Sequence, residues 1–552
     1  MSKHFSIEGH IVDVVNQEIF DGVLDIEDGR IIDIRRQSTA PDSPYILPGF
    51  YDAHMHIEST LMMPENFAKL AVAQGTIGVI NDPHEIANVL DMKGVEYMLA
   101  SCAKVRFHFH TSAPSCVPST PFETAGGNID SAKLTQLLNR DEIYGCGELM
   151  NVPGILNEDP EIIAKIDATL RCGKIADGHA PAISNEDAKK YFGAGISTNH
   201  ECTQINEAEE QIALGVMIAI REGSAACDFE SLSPLLAKHG TQLAFCTDDI
   251  YPDELMQGHI NLHCRRAMAK GYPLWNILHA ACVEPVKHYK LNHGLLQKGD
   301  AADFICVTNL KEFHVTDTYI DGYCVFHNGQ VTKDILQDTT PITTPYPNHF
   351  LAEPIHETDI RINPVPCKRI KVIDSHEGSL LTDTYLTEPK TENGNVVSDT
   401  ANDVLKLVSI SRHSKAKPAI GFIRGFGLTR GAIASTIGHD SHNIIALGTN
   451  DHDIATAINR LVASQGGLVA CCGEEYRELP LPIAGLMSPN AGEKVATDYV
   501  ALREYACKEL GCHYKAPFMT LAFMSLPVIP ELKLTAMGLF DGIKFTFTDI
   551  WE

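Results

Sequence analysis

Along residues 5–36, apolar and polar positions alternate in short runs broken by turn residues: SIEGHIVDVV, EIFDGVLDIEDG and RIIDIR. Alternation with period two, bounded by Gly, Asp and Asn, predicts a small β-structure. A similar texture returns at 294–331, in GLLQKGDAADFICVTNL and DGYCVFHNGQV. Between the two the pattern changes. Short apolar or β-branched runs occur at 50–56, 76–83, 107–114, 143–150, 175–181, 195–201, 216–224 and 243–250. Amphipathic stretches separate most of them, MPENFAKLAVAQG and NEDAKKYFGAG being the clearest. Eight strands alternating with helices over about 250 residues predict a (β/α)8 barrel. The Pro/Thr-rich DTTPITTPYPNHF (338–350) predicts a linker, and mixed strand and helix patterns follow it. The expected fold class is therefore α/β. Residues 1–48 and 294–337 form a small β-sandwich, 49–293 the barrel, 338–351 a linker and 352–552 a separate C-terminal α+β domain.

Composition narrows the partners. A formal charge of −27 disfavours a nucleic-acid backbone or an anionic membrane surface, both of which select basic faces. The N-terminal MSKHFSIEGHIVDVV lacks a signal-peptide core, and no apolar run reaches membrane-spanning length. Sixteen cysteines are scattered without a C-x-x-C, one adjacent pair being Cys471-Cys472. That usage predicts free thiols in a reducing compartment, hence a cytoplasmic protein.

The candidate chemistry starts at GFYDAHMHIEST, where His54 and His56 stand one residue apart at the end of the first barrel run. Among 25 histidines in 552 residues, about one H-x-H arises by chance. A second does occur, at His108 and His110. Context separates the two. Residues i and i+2 share a strand face, and strand ends converge at a barrel mouth. The fourth run ends in Glu148, the fifth in His179, the sixth in His200 and Glu201, and the eighth in Asp248 and Asp249. Three imidazole-bearing and two carboxylate-bearing strands converging on one pocket predict a metal site. His54, His56, Glu148, His179, His200 and Asp248 exceed the usual ligand count of one ion, so two divalent ions bridged by Glu148 are expected. An all-nitrogen-and-oxygen donor set favours manganese, iron or zinc. His108 and His110 sit early in their run, with no ligand type at its end, and are given a structural role.

PGFYDAHMH, the strand-end histidines and the TD of FCTDD resemble the amidohydrolase superfamily, as does the return segment ACVEPVKHYKLNHGLLQKGDAADFICV. Within it, HMHIEST, NDPHEIANV, SCVPSTPFETAG, GELMNVPGIL, DGHAP, NHECT and QGHI resemble the bacterial adenine deaminases. So do GFGLTRGAIASTIGHDSHNIIALGTND and LPIAGLMS in the C-terminal part, and the likeness spans essentially the whole chain. The resemblance implies hydrolytic deamination of adenine to hypoxanthine and ammonia, in purine salvage. It implies a dinuclear centre, with Mn2+ preferred and Fe2+ or Zn2+ as alternatives, and a homodimer. A carboxylated lysine common on the fourth strand of the superfamily is replaced here by Glu148.

The expected reaction is attack of a metal-held hydroxide on C6, with Asp248 moving its proton to the leaving amine. Glu85, beside His84, or Glu201 would protonate N1, and the HEIAN string favours the first pair. The competing reading makes Glu85 a cap of a helix starting at Ile86. His259 and His263 follow at i,i+4 spacing, and His259 is expected behind the ligands or facing substrate. The dense run His439-Asp440-Ser441-His442-Asn443 is read as a loop closing over the mouth, as a second metal site or as a turn, with His439 and His442 as candidate substrate contacts. GFGLTRG lacks a Walker lysine and gives no phosphate site. The rivals are a cyclic-amide hydrolase, a nucleoside deaminase and a metal-dependent purine-binding protein without catalysis.

Overall fold

The computed structural model describes residues 4–340 and 345–552. Strands Phe50–Met55, Thr76–Asn81, His108–Ala113, Ile143–Leu149 and Ile175–Gly178 form one parallel sheet, and Thr198–Asn199, Met217–Arg221 and Leu243–Cys246 a second. Backbone bonds join the two sheets at both edges. Ser197 N–H donates to the Ala176 carbonyl at 3.2 Å. At the other edge Asp248 N–H donates to the His54 carbonyl (3.0 Å) and His56 N–H to the Asp248 carbonyl (3.1 Å). The result is a closed barrel of eight parallel strands. Strands covered on both faces read as near-continuous apolar runs, as IGVI (77–80) and MIAI (217–220) do.

The outer helices bury one stripe each. Pro64–Ala73 opens with Pro64 in its first turn, where the missing N–H costs nothing, and buries Phe67, Ala68, Ala71 and Val72. Ser131–Leu138 is capped by the Asp130 carboxylate, which accepts Lys133 N–H at 2.8 Å. The sixth strand is only two residues long, much shorter than the 195–201 run. There the Asn199 side chain takes over, its Oδ1 accepting Ala180 N–H (3.1 Å) and Glu201 N–H (3.2 Å).

Strands flanking the barrel on both sides in sequence join into one eight-stranded sheet. Tyr45–Pro48 is the junction, parallel to His4–Asp13 and antiparallel to Phe304–Val307. This sheet buries its own core of Ile11, Leu24, Ile26, Ile31, Ile46 and Phe304. The expected linker, 338–351, includes residues 341–344, which lie outside the described residues.

Beyond it, a mixed eight-stranded sheet runs in the order Thr382–Thr387, Ile370–Ser375, Ala419–Arg424, Leu405–Ile410, Ile444–Gly448, Ala432–Ser435, Gly467–Cys472, Glu475–Pro480. Helix Asp451–Ser464, capped by Asn450, lies on it and buries Ile454, Ile458 and Leu461. The C-terminal region is fastened to the barrel: Ser488 N–H donates to the Leu61 carbonyl (2.8 Å) and Asn66 Nδ2 to the Asn490 carbonyl (2.7 Å). All sixteen cysteines are free thiols. Among the described residues no helix is long and apolar enough to cross a membrane.

Candidate active site

His54 sits inside the first barrel strand and His56 one residue past it, so both side chains reach the C-terminal mouth. Glu148 lies in the last turn of pleat of strand four, and His179, His200 and Asp248 follow strands five, six and eight within two residues. All six are buried. The His56 tautomer is fixed from behind. Its Nδ1–H donates to the Asp82 carbonyl at 2.9 Å, which turns the Nε2 lone pair toward the mouth.

Glu148 divides its two oxygens between two histidine groups. Oε1 lies 3.3 Å from His56 Nε2 and 3.9 Å from His54 Nε2. Oε2 lies 2.6 Å from His179 Nδ1 and 3.3 Å from His200 Nε2. Asp248 Oδ1 completes the first group, at 3.2 Å from His56 Nε2 and 3.6 Å from His54 Nε2. Donors bound at about 2.0–2.2 Å in a tetrahedral site stand about 3.3–3.6 Å apart, the spacing of His56 and His200 to Glu148 and of His54 to Asp248. His54 Nε2, His179 Nε2 and His200 Nε2 are buried without a hydrogen-bond partner. The His54 and His200 nitrogens face carboxylates, and orphaned buried nitrogens of this kind fit divalent cations better than they fit a hydrogen-bonded core.

Arg221, buried on strand seven, ties the carboxylates together. It donates to Asp248 Oδ2 (2.9 Å), to Asp228 Oδ2 (3.0 Å) and to Glu201 Oε1. Burial opposes charge on Glu201, yet Arg221 and His179 hold its carboxyl far below the usual range. Asp249 bonds Ser59 Oγ, and burial beside Asp248 pushes it up to about 6. Burial and the charge of Glu85 push Glu58 up to about 7.

The mouth is closed by the C-terminal region. His439 Nδ1 stands 3.0 Å from Glu85 Oε1, and His442 Nε2 pairs with Glu85 Oε2. Burial opposes charge on Glu85, but His439, His442 and His84 overrule it and hold the carboxyl low. Two quoted strings meet here, since Asn443 Nδ2 donates to the Thr124 carbonyl (2.9 Å) of FETAG. The Phe523 ring stacks on His439 with centroids 4.2 Å apart. Phe523, Leu380, Leu526 and Ile529 roof a small cavity whose floor is His56, Glu148, His179, His200 and Asp248.

Two open choices narrow. Glu85 does not cap its helix: the helix is His84–Leu90, and the N–H of Ile86 is taken by Glu58 Oε1 at 3.2 Å. That frees Glu85 to face the cavity with His84 and Glu201. His259 does not face the cavity. Its Nε2 lies 2.9 Å from Asp52 Oδ2 and its Nδ1 bonds Thr76 Oγ1 (2.8 Å). Asp52 in turn accepts from Thr247 Oγ1 (2.5 Å), so His259 braces the strand that delivers Asp248. His263 is buried beside it against Phe229 and Phe245. Sequence reasoning missed Arg221, Asp82, Glu58 and the apolar roof. Arg221 carried a signal, because a lone arginine inside an apolar barrel run needs buried carboxylate partners.

The amidohydrolase family profile matches residues 45–325, and the adenine deaminase C-terminal domain profile matches 379–546. The adenine deaminase of Methanosarcina mazei is 45% identical, with 100% of both chains covered. This chain belongs to the adenine deaminase family of amidohydrolases. The adenine deaminase of Salinibacter ruber is 44% identical, covering 100% of this chain and 99% of its own. That of Borreliella burgdorferi is 41% identical, with 99% of each covered. Both regions that build the cavity lie within these alignments, and the family is one in which a divalent metal is expected.

Proposed function

We propose that this chain hydrolyses adenine to hypoxanthine and ammonia in the cytoplasm, as a homodimer holding two divalent ions, manganese by preference. The reading divides the chain into the sandwich (1–48 and 294–337), the barrel (49–293), the linker (338–351) and the C-terminal domain (352–552). The observation that carries it is Glu148, whose two oxygens serve two separate histidine groups beneath a roof of apolar side chains.

His54, His56 and Asp248 would hold one ion and His179 and His200 the other, with the Glu148 carboxylate available to both groups. When bound, such ions make water a nucleophile at neutral pH and polarise the atom under attack. The rest falls to side chains. Asp248, its Oδ2 fixed by Arg221, takes the proton of the attacking water and passes it to the leaving amine. Glu201 is committed to Arg221 as a standing charge and is left to position. Glu85 rests as a carboxylate in the cavity and is the better relay to N1, since His439, held protonated against its burial by Glu85 and Asp249, stands at its back to supply the proton. Phe523 and its apolar neighbours exclude water from the purine faces.

Ammonia release from adenine, measured on manganese-loaded protein beside adenosine, cytosine and dihydroorotate, tests the assignment. Turnover of adenine alone supports it. Turnover of dihydroorotate with silence on adenine would keep the metal site and overturn the substrate.

A further inference from the structure

The barrel carries a second histidine cluster at its opposite end. His108 opens the third strand, His293 follows the last barrel helix (Glu284–His288), and Asp303 precedes the sandwich strand Phe304–Val307. Three separate elements thus meet beneath the barrel floor. His108 Nε2 lies 3.1 Å from Asp303 Oδ2, and His293 Nδ1 lies 3.5 Å from the same oxygen. All three donor atoms fall within 4.8 Å of one another.

The 3.1 Å contact is within hydrogen-bond length, whereas the 3.5 Å contact is too long for one, so His293 is left without a good hydrogen bond to the carboxylate. The two spacings bracket the edge of about 3.3 Å expected for a tetrahedral site with bonds of about 2.0–2.1 Å. The carboxylate is already oriented. Asp303 Oδ1 accepts Asp321 N–H at 2.7 Å, leaving Oδ2 for the histidines, as an outer hydrogen bond orients a metal-binding carboxylate.

A second observation points the same way. His110, on the same strand face as His108, is 1% exposed, and neither of its ring nitrogens has a hydrogen-bond partner. Its ring centroid lies 5.0 Å from that of His293 and 6.4 Å from that of His108. The Tyr51 hydroxyl beside it is also buried and unpaired, with the Tyr51 ring 6.0 Å from both His110 and His293. Two unsatisfied polar side chains against one three-donor cluster are costly in a dry core, and a bound ion with its water removes the cost.

We propose that His108, His293 and Asp303 bind a zinc-class divalent cation, with His110 completing the shell directly or through one water. The donors are two imidazoles and a carboxylate, a set suited to Zn2+ and to Co2+ as its spectroscopic stand-in. The ion ties the barrel floor to the sandwich and takes no part in the reaction at the mouth. His108 and His293 keep side-chain exposures of 12% and 14%, which gives the ion a way in.

The test uses the full chain, stripped by chelator and reloaded with Co2+ or Zn2+. Bound metal per chain is counted for the wild type and for His293→Gln and Asp303→Asn. Each variant should bind one ion fewer, lack one component of the tetrahedral cobalt absorption and keep its turnover of adenine. The difference is read whether the mouth holds one ion or two, so failure of the functional proposal would leave it legible. Equal counts in wild type and variants overturn the floor site. Should either variant fail to fold, His110→Phe serves, because it keeps the packing. An affinity for one ion weakened by about 10–100-fold supports the site, and unchanged affinity for every ion overturns it.

Discussion

The barrel and the C-terminal domain build one cavity by opposite means. The barrel contributes charged groups from the ends of regular strands, each held by backbone geometry and by a partner behind it, as Asp82 holds His56 and Asp52 holds Thr247. The C-terminal domain contributes two histidines and an apolar roof from loops and the short turn Phe523–Ser525, tied within the domain by His439 N–H to the Ala522 carbonyl (3.0 Å) and pressed against the barrel at Glu85 and Thr124. A strand end fixes a ligand to within the tolerance a metal demands. A loop from a second domain can close over a substrate and still open to release it. The division assigns chemistry to the barrel and enclosure to the domain.

Four substitutions probe that division, from the largest effect to the smallest. Glu148→Gln removes the shared carboxylate, and kcat should fall by about 10³-fold or more, with loss of bound metal measured by elemental analysis. Glu85→Gln crosses the boundary, since a barrel residue there meets domain histidines. Its kcat should drop by about 10²–10⁴-fold with metal content unchanged; an intact kcat would return the proton transfer to Glu201. Phe523→Ala belongs to the roof alone, so KM should rise by about tenfold while kcat and metal hold. A collapse of kcat instead would mean the domain shares in the chemistry.

The smallest effect concerns stability. Lys533 is fully buried, donating to the Leu380 carbonyl at 2.8 Å, and burial pulls its amine down from 10.5 to about 7. Between those pH values the unfolded chain keeps a proton that the folded one has lost, so stability rises with pH across the window. Lys533→Met should raise the melting temperature by about 2–4 °C at pH 7, and the gain should shrink as pH approaches 10. A gain independent of pH would assign the effect to packing alone.

The same contrast explains what could be read from the chain. The barrel was legible because strand runs end sharply and residues of metal-donor type stand at those ends, His54 and His56, Glu148, His179, His200 and Asp248, which the structure gathers in one buried cluster. Two-residue Thr198–Asn199 was legible as a place but not as a strand, because Asn199 replaces backbone pairing with its side chain. Glu85 was ambiguous since its alternative as a helix cap depends on Glu58, which lies 27 positions earlier and carries no local signal. His259 was left open between a place behind the ligands and one facing substrate because helical spacing shows which residues share a face, not which neighbour that face meets; the structure puts it behind. Leu380, Phe523, Leu526 and Ile529 were invisible. Apolar loop residues follow no period, and their function depends wholly on where a distant domain sets them down.

The edge at which the barrel closes runs through the ligands. His54 and His56 exchange backbone bonds with Asp248 across the first and last strands, which Asp52 and Thr247 show to be 195 positions apart in the chain. A growing polypeptide therefore cannot assemble the centre from its early portion, as a compact zinc motif can from a few neighbouring residues. Capture of ions at the proposed centre would wait until the eighth strand has been synthesised and has zipped onto the first. Loading thereby becomes a certificate of completed assembly: a chain cut short before residue 243 keeps five of the six donors and lacks the clasp that brings them into register.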